Sequence, residues 1–178
     1  MRKSVDLHLL ILSDTHVPSR AKTLPDAVWT AVDEADVVVH AGDWTSADLH
    51  RDLAARASQL VGVYGNNDGR ELRDVLPEVA RTTLGGVRFA VVHETGARAN
   101  RESRMAAVYD EVDVLVFGHS HIPWDTTATT GLRLLNPGSP TDRRRQPACT
   151  YMTATVTGGH LVDVVLHELP RTSRTGLA

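Results

Sequence analysis

Seven side chains of metal-binding type stand at the ends of five short, mostly apolar runs of this chain. Leu7–Leu12 leads into Ser13-Asp14-Thr15-His16, and residues 37–39 lead into His40-Ala41-Gly42-Asp43. Residues 60–64 end at Gly65-Asn66-Asn67-Asp68, Val87–Val92 ends at His93-Glu94, and residues 112–117 end at Gly118-His119-Ser120-His121. Asp14, His16, Asp43, Asn66, His93, His119 and His121 offer carboxylate, imidazole and amide donors, a mixture suited to hard and borderline divalent cations. Their number and type point to two divalent metal ions rather than one.

Asp14 and His16 are two residues apart, which on an extended backbone turns both side chains to one side and lets them grip one metal from one direction. His119 and His121 repeat that spacing, with Gly118 giving the backbone room to turn. Their imidazoles could face one metal or reach two adjacent ones. Asp43 follows Gly42 and offers two oxygens, which suits a bridge between cations. Asn66 adds a neutral amide oxygen. Each position also has an ordinary reading. Asp14-Thr15-His16 resembles any polar strand-to-loop transition, and residues 65–69 make a turn for conformational reasons alone. His93 could cap a strand against a backbone carbonyl, and His119 and His121 could be surface histidines. Their joint occurrence at five successive strand ends is what outweighs these readings. Asp68 is expected to orient a ligand or the phosphate-binding loop, or simply to shape the turn. His40 reads as a packed strand-end histidine, and Trp44 as packing beneath the loop rather than stacking on a substrate.

The elements that must carry these residues alternate along the chain. Residues 25–34 start with a proline suited to a first helical turn and place Ala27, Val28, Ala31 and Val32 on one face. Ser46 is expected to cap a helix reaching about residue 58, with Leu49, Leu53 and Ala57 at helical spacing. Residues 69–75 read as a short helix closed by Pro77, and residues 97–111 as a longer one. This β-α-β alternation predicts an α/β sheet with helical crossovers. The last third changes character. Residues 124–129, 132–135, 150–156 and 161–167 are β-type segments, the last two separated by the hairpin signal Gly158-Gly159. Antiparallel strands should close the chain, as a second sheet packed on the first. The expected organisation is one domain over residues 1–170 and a frayed tail over residues 171–178.

Composition narrows the partners. With 178 residues the chain is long enough to bury a core. A net charge near −3, with only Arg143-Arg144-Arg145 locally basic, gives no support for a nucleic-acid polymer or an anionic membrane as partner. The sole cysteine, Cys149, excludes an intramolecular disulfide framework and a thiolate-rich zinc site. The apolar stretch near the start is interrupted by His8 and ended by Asp14, too short for a membrane span and followed by no small-residue cleavage site. A cytoplasmic protein is the expectation. A homodimer is compatible with short apolar β-segments and exposed tryptophans.

Taken in order, Asp14-x-His16, Gly42-Asp43, Gly65-Asn66-x-Asp68, His93 and Gly118-His119-x-His121 resemble the calcineurin-like metallophosphoesterase superfamily. The short chain, Asn136-Pro137-Gly138-Ser139 and the β-rich end resemble its small prokaryotic phosphodiesterase branch, which also includes the retromer scaffold subunit of eukaryotes. The resemblance implies a two-sheet α/β sandwich flanked by helices. It further implies one metal held by Asp14, His16, Asp43 and His121, and a second by Asp43, Asn66, His93 and His119. The expected activity is hydrolysis of small phosphodiesters through in-line attack by a metal-bridging hydroxide, with Asp43, Asn66, Asp68 and His93 at the catalytic centre. Mn2+ is the first choice of metal, with Zn2+, Fe or Ni2+ as alternatives. The alternatives in activity are a metal-binding scaffold of the same fold and a phosphomonoesterase. Two departures bear on substrate. Many superfamily members carry a histidine where this chain has Asn67, and an amide has no useful titratable proton. Glu94-Thr95 also replaces the glycine-containing pair often found after His93 in the small branch.

Overall fold

The computed structural model describes residues 6–170; the predicted tail over residues 171–178 lies outside them. Strands β1 (Leu7–Leu12), β2 (Val37–His40) and β3 (Leu60–Gly62) run parallel, separated by helices α1 (Asp26–Glu34) and α2 (Ala47–Arg56). Helix α3 (Arg70–Arg73) leads to the hairpin β4 (Val79–Leu84) and β5 (Val87–Val92). Helix α4 (Arg101–Val108) connects to β6 (Val114–Val116), which lies parallel to β5. Four strands end the fold: β7 (Trp124–Thr127), β8 (Arg133–Asn136), β9 (Cys149–Thr157) and β10 (His160–Leu169). The two sheets have the orders β10-β9-β1-β2-β3 and β4-β5-β6-β8-β7.

Residue alternation in β1 shows why the layers stack as they do. Side chains of a strand point alternately to opposite faces. Leu9 and Ile11 enter the core shared with Phe89, Val91, Val114 and Val116 of the other sheet. Leu10 and Leu12 turn the opposite way and pack with Val28 and Val32 of α1 and Leu49 and Leu53 of α2. On the far side, Ala90, Leu115 and Leu134 pack against Met105 and Ala106 of α4. Central strands buried on both faces therefore read as nearly continuous apolar runs. The result is the α/β sandwich that the resemblance implied.

Several predicted elements appear where expected. Ser46 caps α2, its hydroxyl accepting the Asp48 N–H at 3.0 Å. Gly158 and Gly159, both with positive φ, turn β9 into β10. Other expectations need correction. The closing strands do not build a second sheet of their own. Strands β9 and β10 extend the first sheet beside β1, whereas β7 and β8 extend the second beside β6. Residues 79–84 form a strand that the periodicity did not single out, although Gly85-Gly86 supplies its two-residue turn with φ of 55° and 90°. Helix α4 starts at Arg101 rather than near residue 97, because Asn100 adopts a left-handed backbone (φ 52°) that a helix interior does not accept.

The tryptophans are not exposed. Trp44 is fully buried, Trp29 lies under Arg56, and Trp124 lies against Arg98 and Arg101. They give no ground for a dimer. Among the described residues, no helix is long and apolar enough to cross a membrane.

Ile11 is fully buried between the sheets, directly before the loop that carries Asp14 and His16. Replacing it with alanine is expected to cost about 2–5 kcal/mol of stability. Urea unfolding with an unchanged slope and a lower midpoint would show this; an unshifted midpoint would contradict the assigned core.

Candidate metal centre

The strand ladder between β1 and β2 continues past the strand ends and aligns their loops. Asp14 N–H donates to Gly42 O (2.9 Å), His16 N–H to Asp43 O (3.1 Å) and Val17 N–H to Trp44 O (3.2 Å). The backbone here is not extended, contrary to the geometry expected from the i, i+2 spacing. Asp14, His16, Asp43, His119 and His121 all adopt left-handed conformations, with φ between 43° and 69°. Asp and His are among the residues that tolerate this region, and such strain gathers at functional sites. The pairs Asp14/His16 and His119/His121 thus converge through curled loops rather than along strands.

Glycines let these loops approach. A Cβ on Gly118 would stand 1.9 Å from Ser13 Oγ and 2.8 Å from Asp14 Oδ2. One on Gly65 would meet Asp43 Oδ1 at 2.2 Å. The contact between Gly118 and Ser13-Asp14 joins the two sheets: β1 supplies the carboxylate and the loop after β6 supplies the main chain beside it.

The donor atoms gather in two overlapping groups. Asp14 Oδ1 lies 3.4 Å from His121 Nε2 and 3.9 Å from both His16 Nε2 and His93 Nε2. Asp43 Oδ2 lies 3.5 Å from His16 Nε2 and 3.4 Å from His93 Nε2, so a single carboxylate oxygen faces both groups. Asn66 Oδ1 is 3.0 Å from both His93 Nε2 and His119 Nδ1. Asp14, His16, Asp43, His93 and His121 are buried, whereas Asn66 and His119 open to solvent. All seven predicted ligands therefore converge on one end of the sandwich.

These residues fit bound cations on their own chemistry. Asp14 Oδ2 accepts from Ser13 Oγ (2.7 Å) and His119 N (2.9 Å), but Asp14 Oδ1 is buried with no hydrogen-bond partner. An unsatisfied buried carboxylate oxygen is costly unless a cation meets it. His121 Nδ1 donates to Asp142 O and His93 Nδ1 to Ala41 O (2.7 Å), which leaves each Nε2 lone pair directed into the cluster. His16 Nε2 and His121 Nε2 stand 3.3 Å apart, an arrangement that a shared positive charge relieves. Burial pushes the Asp43 carboxyl up, but the His93 ring and the amide and backbone N–H of Asn67 outweigh it and hold Asp43 well below the usual carboxylate range. Burial pushes His93 down, yet Asp43 and Asp14 prevail and raise it. For His16 burial prevails and lowers it.

Supporting residues lie directly behind the ligands. Asp68 faces away from the cluster: Oδ2 accepts from the N–H groups of Asp43 (3.0 Å) and Gly65 (2.7 Å), and Oδ1 from Thr45 N–H (2.7 Å). It thus positions the loops on either side of it. Asn67 donates Nδ2–H to Asp43 Oδ2 (2.7 Å) and its backbone N–H to Oδ1 (2.9 Å), so its amide steadies the shared carboxylate. His40 accepts from Gly42 N–H at Nδ1, contacts Thr15 Oγ1 through Nε2 and stacks on Trp44, which agrees with its reading as a packing residue.

Three features escaped the sequence reading. Arg73 stacks over Tyr64 and grips the carbonyls of Gly65, Asn66 and Asp68. Ser139 Oγ donates to Asp14 O (2.7 Å), and Asn136 Nδ2 to Gly118 O (3.0 Å), which gives Asn136-Pro137-Gly138-Ser139 its physical role. Glu94 reaches His119, its Oε1 lying 3.8 Å from Nδ1. Glu94 carried a signal in its position directly after His93, and Asn136-Pro137-Gly138-Ser139 one in its motif, whereas Arg73 carried none.

Residues 7–159 match the model of the calcineurin-like phosphoesterase superfamily domain, and the chain belongs to that metal-dependent family. A probable metallophosphoesterase of Methanothermobacter thermautotrophicus is 35% identical over 133 residues, covering 74% of this chain and 76% of the relative. The solution structure of a Thermotoga maritima protein is 32% identical, with a TM-score of 0.72 over 92% of this chain and 99% of that one. The same fold appears in zinc-bound Vps29 from Entamoeba histolytica, 20% identical with a TM-score of 0.72, covering 92% of this chain and 98% of that one.

Two substitutions test the scaffold of the centre. Asp68→Ala leaves three backbone N–H groups without their acceptor and is expected to lower stability by about 1–3 kcal/mol. Denaturant unfolding of the metal-free protein measures it, and wild-type stability would remove the role given to Asp68. Gly118→Ala should reduce metal uptake, read by elemental analysis after gel filtration, because its methyl group displaces Ser13 and Asp14. Undiminished uptake would argue against the close approach of these loops.

Proposed function

We propose that this protein is a dinuclear metal-dependent phosphodiesterase acting on small phosphodiesters. The observation that carries the reading is Asp43 Oδ2, one buried oxygen facing His16 on one side and His93 on the other. Around it, Asp14, His16, Asp43 and His121 form one ligand set, and Asp43, Asn66, His93 and His119 the second. Two divalent cations held in these sets would supply Lewis acidity toward the phosphoryl group and acidify a water for attack on phosphorus. Mn2+ suits the mixed carboxylate, amide and imidazole donors.

The residues account for a preference among substrates. Two divalent charges less the carboxylates of Asp14 and Asp43 leave the centre positive, which favours an anionic ester. Asn67 stands where a titratable side chain could assist the leaving group, but its amide has no such proton and is engaged with Asp43. Diesters with leaving groups that depart readily should therefore react best.

Hydrolysis of an activated aryl phosphodiester should require added Mn2+ and cease with chelator. Asp43→Ala and His119→Ala should each reduce the rate at least a hundredfold, on the order of 3 kcal/mol in the barrier. Full activity of Asp43→Ala would sink the mechanism. A faster rate on the matching aryl monoester would favour a monoesterase. The fold likeness to Vps29 motivates a second reading, a scaffold that binds metal without chemistry; it predicts cation uptake with no turnover of either ester.

A further inference from the structure

Two acidic side chains that neither ligand set uses, Glu78 and Glu94, line the cleft at the open side of the centre, and of these Glu94 is the one grouped with its histidines. Its carboxylate, His93 and His119 each offer a ligand atom within 4.8 Å of the other two. Oε1 lies 3.8 Å from His119 Nδ1, the nitrogen that also faces Asn66 Oδ1 at 3.0 Å. Glu94 lines the same cleft as Asn66 and His93, a space of about 270 Å³. Among the described residues it has no arginine or lysine partner, its single ion-pair contact being His119. The side chain is about half exposed.

We infer that Glu94 is an additional ligand of the second cation, one that makes the two ends of the centre unequal in composition but closer in charge. Without it, the first cation has a carboxylate of its own in Asp14 and a share of Asp43, whereas the second has only its share of Asp43. Asn66, His93 and His119 are neutral donors when they bind metal. A cation at an exposed position, held by one shared charge, competes poorly with its own hydration, and a second oxygen anion redresses this. Carboxylate in place of further nitrogen also shifts the second position toward oxygen-preferring ions such as Mn2+. The same charge lowers the attraction of the centre for dianions more than for monoanions, which deepens the diester preference.

This inference rests on the dinuclear reading, and the experiment separates the two. Mn2+ is titrated calorimetrically into metal-free wild type, Glu94→Ala and Glu94→Gln. Wild type should take up two equivalents. In Glu94→Ala the affinity of the weaker equivalent should fall about tenfold or more, as happens when groups supporting a metal are removed, with the tighter equivalent unchanged. Glu94→Gln, which keeps the size and removes the charge, should also weaken only that equivalent. A smaller fall in Glu94→Ala, or a loss of equal size at both equivalents, overturns the role of Glu94 and leaves the dinuclear reading intact. A single equivalent in the wild type overturns both. Because Glu94 is exposed, unfolding of the metal-free variants should match wild type, which keeps the binding result free of a folding defect.

Discussion

One buried carboxylate oxygen, Asp14 Oδ1, meets three imidazole nitrogens and no hydrogen-bond donor. That atom constrains much of the surrounding structure. A charge so placed is tolerated only if something positive stands before it and its sister oxygen is firmly held. The sister oxygen is held by Ser13 and by the backbone of His119, which ties a loop of the second sheet to a loop of the first. Gly118 exists as glycine because that tie leaves no room for a Cβ. Ser139 and Asn136 then fasten the same two loops from behind. Joining the sheets and assembling the ligands are therefore one physical event.

The centre is graded from inside to outside. Asp14, His16 and His121 are enclosed, with His121 oriented by a backbone carbonyl. Asn66 and His119 sit at the rim, Asn66 on a loop held by Arg73 and His119 on a loop tied through its backbone to buried Asp14. Asp43 belongs to both zones. Its loop is fixed by Asp68 through two main-chain N–H groups, those of Asp43 and Thr45, and its carboxylate by Asn67.

Legibility followed periodicity and local chemistry. β1, β2 and β5 were visible because strands buried on both faces read as apolar runs, and the cap of α2 because Ser46 does its work within two residues. Strand β4 was not, since Val79–Leu84 is half polar and half-buried at a sheet edge; only its Gly-Gly turn marked it. The allocation of β7–β10 between sheets was also hidden, because any antiparallel pair of that composition could have extended either sheet. For the centre, residue types at strand ends picked out the side chains that converge, yet their backbone was misjudged as extended. The left-handed turns arise from contacts between loops far apart in sequence, such as Gly118 against Ser13.

By itself, the sequence determined which residues could bind metal, their order, and an α/β sandwich to carry them, because these depend on side-chain chemistry and on the pleat of each strand. Only the tertiary structure decided that Asp43 faces both ligand groups, that Asp68 serves the loop, and that Glu94 lies beside His119. Those are distances between atoms from separate strands, set by how two sheets pack and how their loops hydrogen-bond, and no spacing along one chain encodes them directly.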